Sequence, residues 1–383
     1  MKHLILTSAI VAALAAPIGA ETLTIGTATA QTGALAYADV PTMQGMKLAI
    51  EEINAAGGIN GATKIVLLEK DVRSDPAQTS IAAQELADAG VSVIVLPGDS
   101  DPALAAIGVV SSAEIPAIST VASSPTLPEI GGDYMFSNFP GDNVQAAVSA
   151  KWAWDEGYKT AWIVYSPDTQ YTTMPLYFRD VFEKVGGEML GESTHTIGQQ
   201  DFSAIATTIA AQDPQPELVM TSAYEPDFPS MLIALRAAGV TSQVIGSDGI
   251  DSPTTFSLGD VGEDVVFTTA GFATKGSPLE AFDKAFEEKY GNAPESIYSA
   301  VGYDLIKVIE AAVIIAGSTD PKKIRDAMAD LENVQGATGL ITYKGTNGMP
   351  VRQVSLIRVK DGGRELVGQP SPDANLIPAP RMQ

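Results

Sequence analysis

The sequence predicts an α/β protein of two domains, each built on a parallel sheet with helices on both faces. Three observations carry this. Apolar strands alternate with amphipathic helices along most of the chain. The strands read as continuous apolar runs ("KIVLLEKD", "VSVIVLP", "TAWIVYS"), the pattern of strands covered on both sides. Finally, about 360 residues follow the leader, more than the ~250–300 at which single cores usually divide.

In chain order, the first twenty residues read as an export signal. Lys2 and His3 precede the apolar core "LILTSAIVAALAA", and Ala20 offers a small residue for cleavage. That core is shorter than the ~18 residues of a membrane span. With no cysteine, neither a lipidated N-terminal Cys nor a disulfide is available. The mature protein is expected to be soluble, periplasmic and monomeric. "TLTIGTA" leads to a helix expected over Pro41–Ala56, with Pro41 in its first turn. Gly57 and Gly58 then suit a helix C-cap ahead of "KIVLLEKD". Helix, turn, strand is the reverse of a phosphate-binding loop, and Lys64 follows Thr63 rather than a glycine. Helices are expected over Pro76–Ala89 and Pro102–Ala113, followed by the strand "IPAISTV". A second series runs from "YMFSNF" through helices at Asn143–Glu156, Met174–Val185, Phe202–Ala211 and Phe228–Ala238 to "DVVFTTAGF". Three helices then follow in succession (Pro278–Tyr290, Ser296–Ala316, Pro321–Leu331), then the strands "GLITYK" and "VRQVSLIRV" and a Pro-rich tail.

The formal net charge is −23; removing Lys2 with the leader gives −23 − 1 = −24. Such a surface disfavours nucleic acid and anionic membranes as partners. Catalytic material is scarce: beyond the leader the one histidine, His195, lies in a strand-like stretch away from any strand's carboxyl end. No zinc, EF-hand or cofactor pattern is present. No enzyme, metal or cofactor is therefore expected.

Ligands of open parallel sheets sit beyond the carboxyl ends of the strands. Those positions hold hydroxyls, carboxylates and tyrosines, material for gripping a small polar molecule. In "GDSDPALAAIG", Asp101-Pro102 reads as an N-cap followed by proline at the first helical position. Ser100 then points a hydroxyl at a helix start that suits a carboxylate. Ser123 and Ser124 repeat the theme. Tyr171 and Tyr224 read either as packing or as ligand contacts. Asp248, in "IGSDGI", reads either as an acceptor for an ammonium group or as an Asx-type turn.

"INAAGGINGATKIVLLEKDVRSDPAQTSIAAQELA" resembles the N-terminal signature of type I periplasmic binding proteins, specifically the branched-chain amino acid group that feeds ABC importers. "GATGLITYKGTNG" resembles that group's C-terminal segment. The resemblance implies two Rossmann-like lobes with parallel-type sheets, a three-crossover hinge and a ligand in the cleft. Carried onto this chain, residues 21–140 and 272–346 form lobe one, and 141–271 and 347–383 form lobe two with its tail. The crossovers fall near Phe139–Gly141, Thr269–Phe272 and Lys344–Pro350. The implied ligand set is Ser100, Val121, Ser123, Tyr171, Tyr224 and Asp248, with an inner-membrane ABC permease as partner. Three positions depart from the leucine-binding type. Asp248 replaces a glutamate, and Asp99 and Ser74 stand where that type has a disulfide. Asp99 sets a negative charge beside the expected carboxylate site; either it points away or the ligand is not an ordinary amino acid. Amide, urea, amine and aromatic-acid receptors share the scaffold, as do proteins that serve chemoreceptors.

Overall fold

A computed structural model describes residues 21–167 and 174–381. The expected signal, residues 1–20, lies outside the described residues.

The first sheet is all parallel, in the order β2-β1-β3-β4-β5. Its strands are β1 (Thr22–Thr29), β2 (Lys64–Asp71), β3 (Val93–Leu96), β4 (Ala117–Ser119) and β5 (Met135–Ser137). Between them run α1 (Ala36–Ala55), α2 (Pro76–Asp88), α3 (Ser100–Leu104), α4 (Ile107–Ala113) and α5 (Thr126–Gly131). The chain then enters a second sheet through α6 (Asp142–Asp155). Five parallel strands follow: β6 (Thr160–Tyr165), β7 (Glu188–Thr194), β8 (Leu218–Thr221), β9 (Gln243–Gly246) and β10 (Val266–Thr269). They alternate with α7 (Met174–Lys184), α8 (Ser203–Ala210), α9 (Asp227–Ala237) and the short α10 (Pro253–Phe256). Next come α11 (Pro278–Tyr290), α12 (Tyr298–Ala316) and α13 (Pro321–Ala329), and a small antiparallel pair, β11 (Val334–Gln335) with β12 (Leu340–Ile341). Helices α12 and α13 share one apolar core with β1 and β3, so the chain has returned to the first lobe. It crosses again to close the second sheet with the hairpin β13 (Ser355–Lys360) and β14 (Gly363–Gly368).

The sequence reading differs from this in five places. The strand in "YMFSNF", read as opening the second series, instead closes the first sheet as β5. Helix α1 begins five residues ahead of Pro41, which sits inside it. The expected helix over 102–113 is two helices, because the chain turns at Ala105–Ala106. Its N-cap is Asp99 rather than Asp101: Asp99 is extended and its carboxylate accepts the Asp101 N–H at 3.0 Å. The strand β14 was not read from the sequence, although Asp361 and Gly362 both take the positive φ that a tight hairpin turn needs.

Two features stiffen the frame. Helices α1 and α12 touch backbone to backbone: a Cβ on Gly45 would lie 1.7 Å from Ser299 O, and one on Gly302 would lie 1.9 Å from Thr42 O. This contact brings Tyr37 and Tyr298, near the two helix starts, to 6.2 Å between ring centroids. At the hinge, the buried Arg352 donates to Asp304 (2.8 Å), to Thr338 Oγ1 and to the carbonyl of Asn138. Asn138 follows β5 and Arg352 precedes β13, so two crossovers are tied to one carboxylate of α12.

The tail after β14 packs on the second lobe. Leu376 and Ile377 lie against its core, and Asn143 Nδ2 donates to Pro378 O at 2.8 Å. At the other end, Glu21 belongs to the first lobe, its carbonyl accepting Lys64 N at 3.1 Å.

Candidate functional site

One cavity lies between the two lobes at the carboxyl ends of both sheets, enclosing about 610 Å³ including its mouth. Six of the seven residues read from the sequence line it: Asp99, Ser100, Val121, Ser123, Tyr224 and Asp248. Tyr171 lies outside the described residues.

On the first lobe these groups sit on the turns after β3 and β4. Asp39, fully buried on α1, holds those turns in place. Its carboxylate accepts Ala30 N (2.7 Å), Gly98 N (2.9 Å) and Thr120 Oγ1 (2.7 Å), one group from beyond each of β1, β3 and β4. Burial pushes the Asp39 carboxyl up to about 6, with these hydrogen bonds pulling the other way. Asp39→Ala should therefore strand three donors and cost about 3 kcal/mol or more of stability. Urea unfolding checks this, and a loss under about 1 kcal/mol would mean that the turns hold themselves. Ser74 and Asp99, where the resemblance implies a disulfide, work separately. Ser74 Oγ accepts Leu35 N and donates to Thr32 O, both at 3.0 Å, pinning the loop after β1. Asp99 caps α3 and opens partly onto the cavity. The helix start that the sequence reading assigned to a ligand carboxylate is thus already occupied by a side-chain carboxylate.

On the second lobe, Asp248 follows β9 and is buried. Gln145 Nε2 donates to its Oδ1 at 3.0 Å, while Gln145 Oε1 accepts Thr268 Oγ1 at 2.6 Å, which orients the amide. Ser247, not Asp248, supplies the side-chain cap of the turn. Burial, then the nearby Asp142 charge, push the Asp248 carboxyl up to about 8.

Several contacts bridge the lobes. Tyr298 donates to the backbone carbonyl of Asp248 at 2.7 Å. Asp142 N donates to Ser123 O at 2.7 Å. Tyr224 stacks on Tyr37 with centroids 6.3 Å apart, and its hydroxyl reaches Asp99 Oδ2 at 3.5 Å. Asp251 accepts Ile297 N at 3.3 Å and Arg364 Nε at 2.8 Å, and Arg364 also reaches Glu295 O at 2.7 Å. The lobes are closed on each other.

Sequence reasoning missed Tyr37, Asp142 and Tyr298 as lining residues. Tyr37 lay within a strand-end segment but carried no distinguishing pattern. Asp142 and Tyr298 begin helices reached through crossovers, so a search of strand ends passes over them. His195 sits away from the cavity, its Nδ1 3.4 Å from Asp227 Oδ2. Among the described residues no cluster of His, Cys, Asp or Glu is arranged to hold a metal ion.

Two α/β lobes joined by three crossings and closed on a polar cavity define a hinged solute-binding protein. The chain belongs to the periplasmic binding protein family, whose model matches residues 22–364. It is 27% identical over 361 residues to the Leu/Ile/Val-binding protein BraC3 of Rhizobium johnstonii, covering 93% of this chain and 97% of that one. Its fold matches the leucine-binding protein LivK of Thermotoga maritima with a TM-score of 0.83 at 24% identity, over 91% of this chain and 99% of that one. It also matches a solute-binding protein of R. palustris in complex with benzoate, with a TM-score of 0.81 at 19% identity, over 92% and 97% of the two chains.

Proposed function

We propose that this protein captures a small amine-bearing solute, an amino acid first among candidates, between its lobes and delivers it to an inner-membrane ABC permease. The observation that carries this is the buried Asp248, braced by Gln145 and facing a cavity whose opposite wall holds Ser100, Val121 and Ser123. The carboxylate takes the ammonium, while the hydroxyls and backbone of the turns after β3 and β4 take the remaining polar groups. Tyr171 adds a contact from the second lobe. Ligand-bridging contacts favour the closed arrangement, and the permease reads that arrangement. Export through residues 1–20, a monomeric state and the absence of catalysis complete the reading. Its relatives support an amino acid, BraC3 being named for leucine, isoleucine and valine.

The test is a thermal-shift panel on protein refolded from denaturant to remove carried ligand. A true ligand at about 100 times its Kd adds about 2.7 kcal/mol, which raises Tm by a few degrees for a chain of this size. A shift with any of the twenty amino acids supports the reading. A flat amino-acid panel beside a shift with benzoate, urea or a simple amide would overturn it.

A further inference from the structure

One set of bridging contacts stands apart from the cavity. The pairs Tyr298–Asp248, Asp142–Ser123 and Tyr224–Tyr37 all join residues that line it. Asp251, Arg364, Glu295 and Ile297 do not. Asp251, Arg364 and Ile297 face a separate hollow beside Phe272 and Leu279. The buried Asp251 carboxylate pairs with Arg364, another residue of the second lobe, whose guanidinium also lies 4.2 Å from the centroid of Phe256. That pair reaches across to two main-chain groups of the first lobe. Asp251 Oδ2 accepts Ile297 N at 3.3 Å, and Arg364 Nη2 donates to Glu295 O at 2.7 Å. Ile297 is the N-cap of the 19-residue α12 and supplies no side-chain cap. Ser296 Oγ accepts the next N–H, Tyr298 N, at 3.3 Å. Asp251 therefore sets a carboxylate from the opposite lobe at a helix start, where negative charge is favoured.

We propose that Asp251 and Arg364 form a clasp that holds a share of the ligand-free molecules closed and slows ligand release. Parting the lobes leaves the pair intact on the second lobe and strips it of Ile297 N and Glu295 O. Hydrogen bonds to charged groups outweigh neutral ones, so the clasp raises the closed-to-open ratio by about tenfold. The bias exists before any solute arrives, and a solute that prefers the closed form gains affinity from it. The clasp forms only once the lobes meet, so it slows release and leaves capture unchanged. The inference rests on the reading that the lobes open and close around a solute.

Two variants attack the clasp from opposite sides, and either one serves where the other fails to fold. Arg364→Lys keeps a cation beside Asp251 but lacks the fork that serves Asp251 and Glu295 O together. Ile297→Pro removes the first-lobe donor and leaves the pair on the second lobe untouched; the φ of −62° at Ile297 suits proline. Small-angle X-ray scattering of refolded, ligand-free protein reads the open share without any ligand. The radius of gyration should be larger in each folded variant than in the parent. Where leucine saturates the parent, stopped-flow mixing should show its dissociation about tenfold faster in the variants and its association within about twofold. A merely structural role would lower Tm without opening the lobes or splitting those two rates. One radius of gyration for the parent and the folded variants overturns the clasp, whatever binds. A larger radius in the variants, beside no binding of any of the twenty amino acids, supports the clasp and ends the amino-acid reading. Leucine binding with unchanged scattering and an unchanged dissociation rate overturns the clasp and leaves the amino-acid reading standing.

Discussion

Asp304→Ala is expected to remove about 3–5 kcal/mol of folding stability, the scale for leaving one partner of a buried ion pair alone. The carboxylate is fully buried and accepts from Arg352, from Thr338 and from the Ala337 N–H. Burial pushes the Asp304 carboxyl up, and Arg352 offsets part of that push. Without Asp304, the Arg352 guanidinium would keep only carbonyl and hydroxyl partners in a site shut from water. The loss should fall on the hinge, since Asn138 and Arg352 belong to two different crossings. A Leu/Met replacement of Asp304 and Arg352 together should recover part of the loss, because no unbalanced charge remains. It should not recover all of it, because the Asn138 carbonyl and the Ala337 N–H lose their partners. Urea unfolding at neutral pH measures this. A midpoint within error of the parent would show that the pair contributes nothing.

Asp248→Asn should act in opposite directions on binding and on stability. Loss of the carboxylate should weaken an amine-bearing ligand by about 2–5 kcal/mol. In the ligand-free protein, the same change should stabilise at alkaline pH. The Asp248 carboxyl is raised from an unfolded value near 3.8 to about 8, so between those values the folded state holds a proton that the unfolded state has released. Stability from this group is then greatest in acid and is lost as pH rises from about 4 to about 8. Asparagine abolishes that decline, with an expected gain on the order of 2 kcal/mol at pH 8 and none near pH 4. Asp39 and Asp101, both raised to about 6, remain. The variant should therefore still lose stability between about pH 4 and pH 6. Melting curves at several pH values, with and without ligand, report both effects. A variant less stable than the parent at pH 8 would refute the electrostatic account.

Strand–helix order was legible because each strand is a continuous apolar run ended by a polar turn. Ser100, Val121, Ser123, Tyr224 and Asp248 could be found because each lies within four residues of a strand's carboxyl end. What stayed hidden depends on the third dimension. Asp142 and Tyr298 reach the cavity through crossings between lobes, and no local pattern marks them. Asp39 is an acid in the first turn of α1 whose partners lie 9, 59 and 81 residues away. The cap of α3 was misplaced because Asp101-Pro102 resembles a helix start. The helix begins earlier, and proline is tolerated in a first turn whose N–H groups have no intrahelical acceptor. The β13–β14 hairpin was legible in Asp361-Gly362 and was passed over for the proline-rich stretch beyond it.

The two described ends of the chain ride on different lobes. Glu21 is fastened beside β2, while Arg381 N donates to Tyr177 Oη on α7 at 2.9 Å. Any swing about the hinge must therefore change the distance between them. A fluorescent donor at one end and an acceptor at the other would turn the molecule into an optical gauge of its own occupancy.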